Sequence, residues 1–430
     1  MAATIVIIVF ILGYLAIAFE HPLRLNKAAS ALITGVLCWT VYILQSENTR
    51  HVNELLVGHL GEISSILFFL MGAMTIVELI DSHGGFNIIT RKIATRSTQK
   101  LLIIVTVLTF FLSSLLDNLT TAIVMISLCS RILRNKEERL WFAGMIIIAA
   151  NAGGAWSPLG DVTTTMLWIG GQVSAFNIMK ILLLPSLGVC IVPALFVSFR
   201  FRCKSFVVSP VKESTDKEKR EGKIILYLGI GLLIFVPFFK SLTDLPAFMG
   251  MLLALGLIWV VIAFLHKRKT PEVVKQYSVA NALQRIDTQS ILFFLGILLA
   301  VTALQAFGLL NSLASFLTSS LKNNYLIGTA LGLLSAVVDN VPLVAASQGM
   351  FSLSAFPMDH PFWEFLALTT GTGGSAIIIG SAAGVAAMGI ERIDFMWYLK
   401  KISWLALLGF ASGILVYLLQ LAVTQVTLPF

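Results

Sequence analysis

The chain has 430 residues, of which 57% are apolar and 12% charged, against roughly 45–50% and about 25% in a soluble globular domain. That is too little charge to coat a soluble surface, and with a mean hydropathy of +0.90 the sequence predicts an all-α polytopic membrane protein of roughly ten to twelve segments of about 20 residues each. The net charge of +8 resides in loops between apolar runs with no aromatic-interleaved basic face, so no nucleic-acid partner is expected.

In chain order the apolar runs cover 4–19, 28–44, 63–79, 101–116, 119–133, 140–170 and 178–199, then 224–239, 245–265, 291–307, 326–338, 341–351, 362–390 and 402–426. The first run lacks a basic leader and is followed by Arg24 and Lys27, the reverse of a secretory signal, so a retained first span is expected. Cys38, Cys129, Cys190 and Cys203 have no CxxC or ligand-like spacing, which supports neither a disulfide framework nor a cysteine metal site. The polar stretch 202–223 divides the chain into a first unit, 1–201, and a second, 224–430, with 202–223 as a cytoplasmic linker.

The two units repeat. SILFFL at 65–70 recurs at 290–295, Asp117-Asn118 recurs as Asp339-Asn340, and Gly153-Gly154 recurs as Gly373-Gly374, at offsets of 225, 222 and 220 residues. Three matches in one order, each in a corresponding apolar segment, exceed what composition explains. Each unit holds five spans, one of them broken, plus a pair of short runs interrupted by Asp-Asn. Five is odd, so the second unit enters the membrane inverted. Placing Arg24 and Lys27 inside carries Arg131–Arg139, 200–223, 266–285 and Lys400-Lys401 inside as well, and leaves both termini on the outer side. The arms of the second short pair, 13 and 11 residues, reach ~20 and ~17 Å as helix, short of a ~30 Å hydrocarbon core. Two re-entrant hairpins entering from opposite faces are therefore expected.

Polar groups in the membrane interior are few. Asp117 and Asn118 sit at the first hairpin turn within SSLLDNLTT, with Ser113, Ser114 and Thr120 beside them, and Ser335, Asp339 and Asn340 are their counterparts. An ionised Asp at mid-bilayer costs about 2.5–3.5 kcal/mol on insertion scales, so each requires a partner or a function. The run 140–170 is broken by NAGGAWSPLGDVT, with Asn151, Ser157, Asp161 and Thr163, and the run 362–390 by TGTGGS, with Thr370, Thr372 and Ser375. Glycine pairs and Pro158 free backbone groups at a depth where this is tolerated only inside protein or around a wet cavity. Two tips and two breaks converging near the midplane make an anionic, all-oxygen assembly. Hard oxygen donors suit a small hard cation, and the same carboxylates can hold a proton instead. Exclusive occupancy by Na+ or H+, with access alternating between faces, suffices for antiport.

The segments LLDNLTT and NAGGAWSPLGDVTT, with VDNVP and TGTGGS in the second unit, resemble the NhaD-type sodium/proton antiporters of the ion transporter superfamily from about Ser65 to Lys401. The resemblance implies cation exchange in a bacterial inner membrane, with Asp117, Asn118, Asn151, Asp161, Thr163, Asp339 and Asn340 as the matching polar positions. Anion-carrying relatives tend to have Ser-Asn-Thr at the tips, where this chain has Asp. At the second tip Pro342 stands where the first has Thr120, so that hydroxyl is not carried over.

The expected mechanism places Na+, with Li+ as an alternative ion, between the Asp117 and Asp339 tips. Asn118, Asn340, Asn151 and carbonyls at the breaks assist, and Asp161 serves as a further ligand or proton carrier. Glu78, late in the third span, is a candidate for proton passage. The competing reading for Asp117, Asp339 and Asp161 is helix capping, and for the glycine pairs close helix packing. The histidines lack HExxH spacing, so no zinc site, cofactor or enzymatic function is expected. A carboxylate or arsenite-type oxyanion transporter of the same fold is the nearer alternative. An intramembrane aspartyl protease is the remote one, because Pro158-Leu-Gly160-Asp161 lacks the first glycine of such enzymes' Gly-x-Gly-Asp element. A homodimer is compatible with all of these.

Overall fold

The computed structural model describes residues 2–18, 25–86, 95, 97–202, 216–267, 269–337 and 340–427. Within them the chain forms twenty α-helices and a single 3-10 turn. In the first unit these are α1 (Ala2–Ala18), α2 (Lys27–Gln45), α3 (Thr49–Ser82), α4 (Thr98–Ser113), α5 (Asn118–Ile132), α6 (Lys136–Ala155), α7 (Val162–Ile169) and α8 (Ala175–Arg200). The second has α9 (Asp216–Thr243), α10 (Ala247–His266), α11 (Pro271–Gln276), α12 (Val279–Arg285), α13 (Thr288–Ala306), α14 (Leu309–Leu321), α15 (Asn324–Leu334), α16 (Asn340–Met350), α17 (Pro361–Gly373), the 3-10 turn Ile378–Gly380, α18 (Ala382–Glu391), α19 (Phe395–Lys401) and α20 (Ser403–Thr427).

Seven helices are long and apolar enough to cross a bilayer: α2, α3, α8, α9, α10, α13 and α20. With the shorter α1 and the interrupted pairs α6/α7 and α17/α18, the expected spans are all present as helices, and the chain is a multi-pass helical membrane protein. The first hairpin is α4/α5, with arms of 16 and 15 residues, or about 24 and 22 Å at 1.5 Å per residue. The second, α15/α16, has arms of 11 residues each. All four arms are shorter than a ~30 Å core. Helix α14 was not anticipated. Its apolar face rests on α13, α15 and α16, while Leu313 and Phe316 stay exposed, a pattern without the long apolar run that marks a span.

Matched segments make matched contacts. A Cβ on Gly153 would lie 2.2 Å from the Phe110 carbonyl oxygen, and one on Gly373 would lie 1.9 Å from that of Gly332. A Cβ on Gly160 would lie 2.3 Å from the Ser113 carbonyl oxygen, and one on Gly380 would lie 2.4 Å from that of Ala336. Ser113 donates to the carbonyl of Ala150 and Ser335 to that of Thr370, at 2.6 and 3.1 Å. In both units the glycines let a hairpin arm and a broken helix touch backbone to backbone.

The helices sort into two packed groups. One holds α1, α2, α3, α9, α10 and α13, the first three long helices of each unit, with the short α12 packed on α3. The other holds both hairpins, both broken helices, α8 and α20. They meet mainly where α13 lies on α16 and α3 on α7. Within the first group Glu78 pairs with Arg285 at 3.6 Å. Within the second, Arg139 pairs with Glu391 at 3.0 Å and Arg200 with Glu137 at 2.7 Å.

Candidate functional site

Two asparagines open the returning arms of the two hairpins, Asn118 on α5 and Asn340 on α16. Two polar residues flank the first break, Asn151 on the last turns of α6 and Asp161 immediately before α7. The structure brings all four together. Asn118 Nδ2 donates to Asn151 Oδ1 at 3.0 Å and to Asp161 Oδ1 at 3.4 Å. Asn340 Nδ2 donates to Asp161 Oδ2 at 3.3 Å, and Thr163 Oγ1 donates to the same oxygen at 2.5 Å. Asn151 Nδ2 donates to Ser375 Oγ at 2.8 Å and Ser381 Oγ at 3.0 Å, reaching the second break. All seven side chains are buried, Asp161 at 2% and Asn151 at 0% exposure. One network thus joins both tips and both breaks around one carboxylate.

The local reason is the break itself. Asp161 occupies the N-cap position of α7 yet makes no side-chain cap bond, so its carboxylate is turned to the asparagines. At the repeat-equivalent position, 220 residues on, Ser381 does cap α18 by accepting from Gly384 N at 3.2 Å. The turn between α6 and α7 is stabilised by threonines instead: Thr165 donates to the Pro158 carbonyl at 2.7 Å and Thr164 to that of Ala155 at 3.3 Å. At the second break Tyr398 donates to the Ser375 carbonyl at 2.8 Å. The Ala155, Pro158 and Ser375 carbonyls at the breaks thus accept internal hydrogen bonds, and the oxygens gathered at the network's centre are side-chain oxygens.

Asp117 behaves differently from Asp161. It is the N-cap of α5, taking Thr120 N at 2.7 Å on one oxygen and Thr120 Oγ1 at 2.6 Å on the other. This is the capping geometry of a short polar side chain at a helix start. It also lines a 20 Å³ cavity with Leu116, Val162, Thr165, Met74, Val77 and Leu233, between α3, α9, the first tip and α7. That volume is room for about one water. Asp117 is thus placed beside the network, with both of its oxygens bonded to Thr120. Asp339, the expected partner of Asp117, lies outside the described residues.

Of the flanking hydroxyls only Ser375 joins the network. Ser114 donates to Phe111, Thr370 to Leu366 and Thr372 to Leu368, all to backbone carbonyls within 2.6–2.8 Å. Ser113 and Ser335 hold the hairpin arms as described, and Ser157 accepts from Leu159 N at 3.3 Å. Glu78 is spent on Arg285 rather than on the network. Sequence reasoning missed Ser381, although the 220-residue offset of the glycine pairs projects Asp161 onto it. It also missed Lys240, Gln172 and Gln348 at the far end of α7, discussed below. No cluster of three His, Cys, Asp or Glu side chains suited to a metal ion occurs among the described residues.

The pattern of the citrate transporter family matches residues 14–371. The chain is 46% identical over 412 residues to sodium/proton antiporter 1 of Arabidopsis thaliana, covering 96% of this chain and 71% of that protein. It is 44% identical to the Arabidopsis sodium/proton antiporter 2, covering 98% of it, and 31% identical over 445 residues to the Na+/H+ antiporter NhaD of Vibrio cholerae, covering 96% of this chain and 91% of that one. On this likeness along nearly its whole length, the chain belongs to the citrate transporter family and, with these relatives, to its NhaD-like sodium/proton antiporters.

Proposed function

We propose that the protein exchanges Na+ for H+ across a membrane, with Asp161 as the carboxylate the two ions share. The observation that carries this reading is the single buried acid held by an asparagine from each hairpin and by Thr163. A buried carboxylate held by two amides and a hydroxyl offers oxygens to either of two occupants, a small hard cation or a proton. Sodium is the first, drawing on the carboxylate and on amide and hydroxyl oxygens that rotate towards it. The proton is the second, turning Asp161 into a donor. Since neither can bind while the other is present, a protein that alternates access between faces exchanges them one for the other. Asn118 and Asn340 come from the two repeat-related tips, so a movement of either hairpin changes the coordination. Asp117, at the small cavity between the two helix groups, is assigned as the second carboxylate on the path. Li+, close to Na+ in hardness, is assigned as an alternative cargo.

The paired contacts of the two units support a pair of inverted repeats, 1–201 and 224–430. The positive-inside bias then puts the basic ends at the cytoplasm and both termini outside. The family name favours citrate as a second reading. A tricarboxylate would meet the charge of Asp161 at the centre of a network with Asn118, Asn151, Thr163, Asn340, Ser375 and Ser381, a repulsion that a cation does not face. Purified protein in proteoliposomes with a trapped pH dye separates the two: Na+ and Li+ are expected to move protons, and citrate to move none. Asp161→Asn, which keeps size and inserts normally, is expected to reduce exchange to background. Wild-type exchange by that variant would reject the assignment.

A further inference from the structure

At the end of α7 away from Asp161, a cavity of about 610 Å³ separates the two helix groups. Thr302, Gln305 and Ser65 of α13 and α3 line one wall, and Met166 and Gly170 of α7 with Gln348 of α16 line the other. Lys240, in the last turn of α9, lines the same cavity. It crosses to the other group: its Nζ donates to the carbonyl of Trp168 at 2.8 Å and sits 4.7 Å above the indole ring. That carbonyl is in the final turn of α7, at the negative end of the helix dipole, where it also accepts from Gly171 N at 3.3 Å. Lys240 thus bonds across the two groups, whereas the Asp161 network lies wholly within the second. Gln348 also holds this turn, donating to the Met166 carbonyl at 3.1 Å, but from within the second group.

We infer that Lys240 is a latch between the two helix groups, a positioning residue that holds α7, and with it Asp161, in the arrangement where this cavity is open. The chemistry follows from the partners. A charge-assisted bond to a backbone carbonyl is stronger than a neutral one and depends on a donor of Lys length. A cation over an indole adds attraction that vanishes when the ring moves. Displacement of the second group against the first breaks both at once, so the latch favours one access state and its release accompanies the change to the other. A contact made in only one state shifts the population by its differential free energy. For a hydrogen bond to a charged group that amounts to about tenfold or more.

The latch concerns which state is populated. It rests on the exchange reading only where turnover is measured, and a labelling assay tests it whatever the cargo. Thr302→Cys, with the native cysteines replaced, is placed in nanodiscs with both faces accessible and reacted with a charged thiol reagent. Lys240→Met and Lys240→Gln are expected to slow labelling of Cys at 302 by about tenfold, while Lys240→Arg, which keeps charge and donors, stays within about twofold. In proteoliposomes the same Met and Gln variants are expected to change turnover more than the apparent Km for Na+. Unchanged labelling in Lys240→Met and Lys240→Gln would overturn the latch. So would an Arg variant as slow as the Met one, or failure of all three to reach the membrane, which would assign Lys240 to folding alone. Normal labelling shifts without any Na+-driven proton movement in the parent protein would reject the exchange reading and leave the latch standing.

Discussion

At the scale of single residues, two aspartates with the same sequence credentials do different work. Both precede a helix that begins in mid-membrane, and both carry the signature of an N-cap. Asp117 uses both oxygens on Thr120, whereas Asp161 caps nothing and receives Asn118, Asn340 and Thr163. The difference generates a graded expectation. Asp117→Ala removes the cap and is expected to lower stability by about 1 kcal/mol, while Asp117→Asn, an equally good cap, leaves it unchanged. Thermal unfolding in detergent checks this, and exchange by the stable Asn variant then reports on ion chemistry alone. Competition at Asp161 has its own signature. As pH falls, the apparent Km for Na+ is expected to rise, by up to about tenfold per pH unit, with maximal rate changing less, because each proton bound excludes one ion. Flux measured across a pH series at several Na+ concentrations tests it.

At the scale of elements, the hairpins reach the broken helices because glycine leaves room. Gly153→Ala would drive a methyl to 2.2 Å from the Phe110 oxygen, and such overpacking is expected to cost about 1–3 kcal/mol and to pull α4 from α6. Gly231→Ala, on α9 where nothing lies within 4 Å, is expected to be neutral or to stabilise by up to about 1 kcal/mol. Parallel melting curves decide between them. The end of α3 supplies a pH-dependent element. His83 is buried, bonds the Leu79 carbonyl through Nδ1 at 2.7 Å, and stacks on His266 at 5.3 Å. Desolvation holds its pKa below the ordinary 6.5 despite that backbone bond, and Lys269 pushes the same way. The unfolded chain therefore binds the proton first. Stability from His83 is complete above pH 6.5 and is lost as pH falls through that value towards the folded pKa. His83→Phe is expected to flatten this acid-side fall in melting temperature, and an unchanged slope would count against it.

At the scale of the whole molecule, two groups of helices with a cavity between them supply what exchange requires: a site on one group and a surface against which it can move. The buried network lies within the group built of hairpins and broken helices, so an ion held there as proposed would travel with its ligands. If both Asp161 and Asp117 load protons against one Na+, the exchange moves net charge, and a membrane potential contributes about 2.3 kcal/mol per charge per 100 mV. Clamping the potential with K+ and valinomycin is then expected to change the Na+ gradient sustained by the wild type, and to change it less in Asp117→Asn.

The sequence alone determined the membrane-spanning helical class, the repeated Asp-Asn and Gly-Gly segments and the polar residues worth considering. Each of these is a local property: apolar length, glycine and proline placement, charge between spans. Tertiary structure decided which of those residues meet. Whether an aspartate before a helix caps it or turns to another chain segment depends on what the neighbouring hairpin presents, and Asn118 and Asn340 are 43 and 179 residues from Asp161. The same holds for Lys240, an ordinary cation at a span end by sequence, whose carbonyl partner lies 72 residues away on the other helix group. Hydrophobicity and helix periodicity act along the chain and are written in it, whereas the partner of a buried charge is fixed only when distant helices pack.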